Sequence, residues 1–190
     1  DITKVVEICK KHNLKSIIDN TWATALFFNP IEFGVNIVVE AITKYISGHS
    51  DIMMGVVIAN GQDLIEIQRW TKNAGVYVSP DDIYMSLRGL RTLPLRLKQS
   101  SENSLALAKY LEIQDEIKAI QHPALKQHPD HGLWKKYFKG ASGLFAVEFI
   151  EKITDEDAEY MGFSRTWCRP EWLICSVFGV PPPSVRPSVR

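Results

Sequence analysis

Two short stretches of this chain hold residue types that could do chemistry together. In Thr43 to Asp51, TKYISGHSD, a lysine comes four positions after the end of the largely apolar run VNIVVE at 35–40. A primary amine there can attack a carbonyl or carry a proton. In Ile17 to Thr21, IIDNT, Asp19 closes another apolar run with a carboxylate, and Thr43 adds a hydroxyl next to the amine. By type alone each group has an ordinary reading. Lysine is rarely buried and is most often a solvated surface residue. Asp-Asn-Thr is a common turn or cap. Only the elements that carry these residues can bring them to one place.

Those elements are legible in part. Ile2, Val5, Val6 and Cys9 recur at helical spacing and predict an amphipathic helix over 2–13. Residues 14–19 predict a short strand, and 35–40 a nearly all-apolar one of the kind buried on both faces of a parallel sheet. A third strand is expected at 53–59 and a helix at 63–74. The segment between the first two strands, with Trp22, Phe27, Phe28 and Pro30, allows a short crossover with little regular helix. The pattern is that of an open α/β sheet. Ser79-Pro80-Asp81-Asp82 starts a helix: a capping hydroxyl, a proline suited to the first turn, and two acids at the positive end of the dipole. Apolar positions continue at helical period from Ile83 to Leu111, with a break expected near Leu93 because Pro94 follows. Strands at 117–121 and 144–150, around a His/Pro loop at 122–131, begin a smaller α+β domain.

In an open parallel sheet, ligands bind beyond the carboxyl ends of the strands. If the strands at 14–19 and 35–40 are parallel, Asp19, Thr43 and Lys44 share that edge. An amine, a carboxylate and a phosphate donor are what a pyridoxal phosphate enzyme needs: a lysine to form a Schiff base, an acid to keep the pyridine nitrogen protonated, and donors for the phosphate.

Composition narrows the field. The chain has 190 residues, 45% of them apolar, enough for a real core. Its 22 basic and 22 acidic residues cancel, so no global field holds nucleic acid or an anionic membrane. Arg88, Arg91, Arg96 and Lys98 therefore read as the polar face of a helix rather than a nucleic-acid stripe. No run approaches the ~20 apolar residues of a membrane span. The cysteines Cys9, Cys168 and Cys175 form no CxxC pair. These features predict a soluble, cytoplasmic protein with no nucleic-acid or membrane partner. His122, His128 and His131 lack the cysteines or acids that would complete a metal site, so no metal is expected. His49 and Asp51 lack a nucleophile turn and are assigned to shaping the loop after Lys44. Tyr45 and Trp22 could stack near a ligand or pack in the core.

The order and spacing of several segments carry a resemblance. IIDNTWAT (17–24), AITKYISGHSDIMMG (41–55), SLRGLRTLPLRLKQ (86–99), HPAL (122–125) and LWKKYFKGASGLF (133–145) closely resemble the cystathionine beta-lyase and gamma-synthase family, pyridoxal phosphate enzymes of sulfur amino-acid metabolism. The resemblance implies the α/β fold of type I pyridoxal phosphate enzymes, aspartate aminotransferase-like, with a mainly parallel sheet, flanking helices and part of a smaller α+β domain. It implies that Lys44 carries the cofactor and takes the substrate's alpha proton, that Asp19 partners the pyridinium nitrogen, and that Thr43 binds the phosphate. Residues 134–145 resemble the beta-lyases more than the gamma-synthases, which implies cleavage of cystathionine to homocysteine, pyruvate and ammonia. Gamma-synthase or gamma-lyase chemistry, or a non-catalytic remnant, are the alternatives. Family members are homotetramers, so self-association is expected of the intact protein.

The expected organisation is the C-terminal part of a large cofactor-binding domain at 1–93, a linker helix and truncated small domain at 94–163, and a divergent, disordered tail at 164–190. The family's earlier half, with its phosphate loop and stacking tyrosine, is not in this sequence. After MGFS (161–164) the resemblance stops as it would after a reading-frame shift. The isolated chain is accordingly expected to bind cofactor poorly and to show little lyase activity.

Overall fold

The structure is a computed structural model that describes residues 1–150 and the strand at 172–176. The chain divides into two compact units. One comprises 1–96 with 136–140, and the other comprises 97–135 with the residues from 141 onward.

In the first unit, helix α1 (Ile2–Lys11) is capped by the Asp1 carboxylate and ends on Lys10 and Lys11, which suit the negative end of the helix dipole. It lays Ile2 and Val6 against Val35 and Val38, with Ile18, Ile31 and Ile58 around them. Strand β1 (Ile17–Asp19) is followed by the short α2 (Thr24–Phe27) and a 3-10 turn at Pro30–Phe33, the brief crossover that the proline and aromatics suggested. Strands β2 (Ile37–Ala41) and β3 (Gly55–Ala59) complete a three-stranded sheet in the order β1-β2-β3. The expected parallel pair is β1 and β2, with Ile17 opposite Ile37 and Asp19 opposite Val39. β3 runs antiparallel to β2, so this sheet is mixed. The connection fits this: residues 42–54 form turns and no crossover helix, the usual route to a parallel neighbour.

Helix α3 (Gly61–Asn73) follows, then α4 (Pro80–Leu90), whose start is capped as expected, the Ser79 hydroxyl accepting from Asp81 N at 3.2 Å. The helical run breaks between Leu90 and Leu93, where α5 (Leu93–Leu111) begins with Pro94 in its first turn. Helix α6 (His131–Tyr137) returns the chain to the first unit. There Phe138 stacks on Phe28 at 4.5 Å between ring centroids and meets Trp22 edge-on at 5.7 Å. Phe33 bridges Phe28 and Tyr137. Trp22 thus belongs to an aromatic cluster that fixes the crossover between β1 and β2.

In the second unit, β4 (Ile117–Gln121), β5 (Leu144–Phe149) and β6 (Trp172–Ser176) form an antiparallel sheet in that order. Its core is Ala108, Leu125, Phe145 and Val147, flanked by leucines of α5 and isoleucines of β4. The tail expected to lack regular structure is corrected at 172–176, where β6 pairs with β5 from Glu148 to Leu144. The physical reason is that WLICS is rich in strand-forming side chains and meets an otherwise open edge. The rest of that tail lies outside the described residues. At the start of the His/Pro loop, His122 is fully buried. Its Nδ1 accepts from Ala124 N at 3.2 Å, so its Nε2 carries the proton toward the Ser104 hydroxyl at 3.2 Å, and Ser104 donates to the Ser142 carbonyl at 2.7 Å. With the proton on Nε2, His122 cannot act as a base toward Ser104.

Candidate functional site

Asp19 ends β1 and Ala41 ends β2, so the two parallel strands deliver their following turns to the same edge. Two bonds join the turn after β1 to the end of β2: Asn20 N donates to Val39 O at 2.8 Å and Ala41 N donates to the Thr21 hydroxyl at 2.7 Å. Within the first turn Thr21 N donates to the Asp19 carboxylate at 2.9 Å. Asp19 and Lys44 are both exposed at this edge. Thr43 is tied inward: its hydroxyl accepts from Met54 N at 2.9 Å and donates to Met54 O at 3.2 Å.

The turn that carries Lys44 is fixed along its whole length. The carbonyls of Ala41, Ile42 and Lys44 accept from the amides of Lys44, Ser47 and Gly48. The carbonyl of Thr43 accepts from the Ser47 hydroxyl, and that of Ser47 accepts from His49 Nδ1 at 2.6 Å. Those of Tyr45 and Ile46 accept from the Arg96 guanidinium at 2.6 and 3.1 Å. Tyr45 and Ser47 are buried under the turn. His49 shapes the loop, and so does Asp51 by pairing with Arg88 at 3.3 Å.

Beneath this edge lies a pair that sequence reasoning missed. Glu40, the residue before Ala41, is buried, and the Asn20 side-chain amide donates to its carboxylate and to the Phe28 carbonyl, each at 2.9 Å. Burial pushes the Glu40 carboxyl above its ordinary value, with the Asp19 charge adding to it and the Asn20 amide opposing it. The only signal in the sequence was an acid inside an apolar strand paired with an asparagine at the end of its neighbour. Among the described residues no group of histidines, cysteines and acids is placed to hold a metal ion. No helix among them is long and apolar enough to cross a membrane.

A sequence profile of the Cys/Met metabolism PLP-dependent enzymes matches residues 1–167. The chain belongs to that family. Its relatives include the L-alanine/L-glutamate racemase of Wolbachia pipientis wMel, 41% identical over 184 residues that make up 93% of this chain and 46% of that protein. The cystathionine beta-lyase of Haemophilus influenzae is 39% identical over 158 residues, 82% of this chain and 40% of that protein. In structure the chain is similar to the cystathionine gamma synthase of Xanthomonas oryzae pv. oryzae solved with aminoacrylate and cysteine: TM-score 0.79, 32% identity, 90% of this chain and 44% of that one. The chain thus spans less than half the length of these relatives. The family is pyridoxal phosphate-dependent, and the exposed amine and carboxylate at one strand edge fit the aldehyde and pyridine-nitrogen ends of that cofactor.

Proposed function

We propose that Lys44 is the cofactor lysine of a pyridoxal phosphate-dependent carbon-sulfur lyase whose substrate is cystathionine and whose products are homocysteine, pyruvate and ammonia. The observation that supports this reading is the exposed Lys44 amine, held on a fully hydrogen-bonded turn at the edge that Asp19 also occupies. When bound, pyridoxal phosphate supplies the electron sink that makes an amino acid's alpha proton removable. The Lys44 amine takes that proton and gives one to the departing sulfur, so one atom serves as base and then acid. Asp19 supplies the negative charge that keeps a ring nitrogen protonated. Thr43 serves as a phosphate contact by turning its hydroxyl proton from Met54 O to the anion. Water converts the three-carbon remainder to pyruvate and ammonia. The intact protein self-associates in this reading.

A second reading has its own support in the racemase relative that covers 93% of this chain. The same Lys44 amine, returning its proton to the alpha carbon instead of to sulfur, would invert an amino acid. A gamma-type reaction is the third outcome. The experiment begins with cofactor, borohydride and peptide mapping. A stable pyridoxyl label on Lys44, absent from Lys44→Ala, is expected. Label scattered evenly over the exposed lysines overturns the cofactor reading. Offered cystathionine, a beta-lyase releases pyruvate and a gamma-lyase 2-oxobutyrate. Offered L-alanine, a racemase accumulates the D form. Whichever reaction is found, Lys44→Ala lowers it by about 10²- to 10⁴-fold, the range of a lost proton carrier.

A further inference from the structure

We propose that Arg96 is a positioning residue: its guanidinium clamps the turn that presents Lys44, and it does so against the end of α4. The inference rests on the reading of Lys44 as the cofactor lysine and adds the device that sets its place.

A turn following a strand leaves carbonyls pointing in several directions, and those that find no amide must be met by water or a side chain. Here the carbonyls of Tyr45 and Ile46, the two residues after Lys44, are met by one group. Arg96 Nη1 donates to Tyr45 O at 2.6 Å and Nη2 to Ile46 O at 3.1 Å. The same Nη2 donates to Gly89 O at 2.7 Å, at the carboxyl end of α4, and Nε donates to the Thr92 hydroxyl at 2.9 Å. Lysine could not do this, because a single ammonium cannot span a planar fork of acceptors. Four donations from a planar group fix the turn relative to the helix in direction as well as distance.

Two glycines make room for the clamp. A Cβ on Gly48 would lie 1.9 Å from Arg96 Nη1, and Gly48 has φ +68°, a conformation that side chains disfavour. A Cβ on Gly89 would lie 2.4 Å from the carbonyl oxygens of both Ile46 and Ser47. Helix and turn therefore meet backbone against backbone, with the guanidinium filling the gap. A surface arginine that served only solubility would need neither glycine. An arginine that only closed α4 would bond Gly89 and leave the two turn carbonyls alone.

The test compares the whole chain with Arg96→Gln, Arg96→Lys and Gly48→Ala. Amide hydrogen exchange is read at Ser47 and Gly48, which close the turn, and at Asn20 and Ile37 in the sheet as controls. Lys44 is labelled in parallel by subsaturating pyridoxal phosphate with borohydride and by acetic anhydride. Arg96→Gln should speed exchange at Ser47 and Gly48 at least about tenfold, with the sheet amides unchanged. It should lower the cofactor-directed label on Lys44 at least about fivefold while acetylation of that exposed amine stays the same. Arg96→Lys should fail to rescue, and added methylguanidinium should partly restore the label in Arg96→Gln. Gly48→Ala, which keeps the arginine but displaces it, should give the same pattern, with no further loss in the double variant. Unchanged exchange at Ser47 and Gly48 overturns the clamp. Faster exchange with an unchanged cofactor label reduces Arg96 to a helix cap and overturns its positioning role. If the unsubstituted chain takes no label on Lys44, the cofactor reading fails, and the exchange data still decide whether Arg96 holds the turn.

Discussion

Asn20 shows how much of this site depends on residues that never face a ligand. Its amide spends both protons inside the fold, one on Glu40 and one on the Phe28 carbonyl. Removing it strands the Phe28 carbonyl and leaves the buried Glu40 carboxylate with the Ala25 backbone N–H alone, and an unsatisfied buried group costs about 1–3 kcal/mol, more when charged. Asn20→Ala should therefore destabilise the chain by about 2 kcal/mol, measured as a lowered urea midpoint at constant slope. A loss below a few tenths of a kcal/mol would mean that the Ala25 N–H alone satisfies Glu40. The sequence named Lys44, Asp19 and Thr43 because their chemistry is visible in one-letter code. It did not name Asn20 or Glu40, and it read Arg96 only as part of a polar helix face. Their importance lies in what they touch across intervals of 20 and about 50 residues, which no local pattern encodes.

Elements were read best where a cap or a long period marked them. The start of α4 is an example, since a serine, a proline and two acids each act at a known helical position. Ser79→Ala removes the hydroxyl that accepts from Asp81 N and should cost about 1 kcal/mol. Thermal unfolding of the variant checks this, and Ser79→Asp should recover most of the loss. Strands β1 and β2 were legible as apolar runs, but the reversed direction of β3 was not, because direction depends on what the connecting loop does. Helix α6 went unread, being too short for a period to emerge and carrying Gly132 in its first turn. β6 was hidden by the prolines that follow it, although its own five residues favour a strand.

For the whole molecule, the clearest expectation concerns acid. His122 is buried neutral, and burial holds its imidazole at about 4 against an ordinary value of 6.5. The unfolded chain takes up that proton first as pH falls. The stability associated with neutral His122 is thus fully present above pH 6.5 and is lost from there down to about 4. The loss is about 1.4 kcal/mol per pH unit in that window. Urea unfolding at pH 7, 6, 5 and 4.5 should show this slope, and His122→Gln should flatten it relative to the unsubstituted chain. Equal slopes in the two would assign the acid sensitivity to other groups.

The return of Tyr137 and Phe138 to the first unit sets an order in time. During synthesis the ribosome releases α1, the mixed sheet, α3 and α4 long before it reaches residue 138. Until then Phe28 has Phe33 but not Phe138 to stack on, and Trp22 lacks the Phe138 ring it meets edge-on. α5 and β4 leave the ribosome in the interval. The nascent crossover between β1 and β2, on which the Asp19 edge depends, must wait with exposed aromatics while another unit is being made. That interval is when a chaperone that grips aromatic-rich segments would have most to hold.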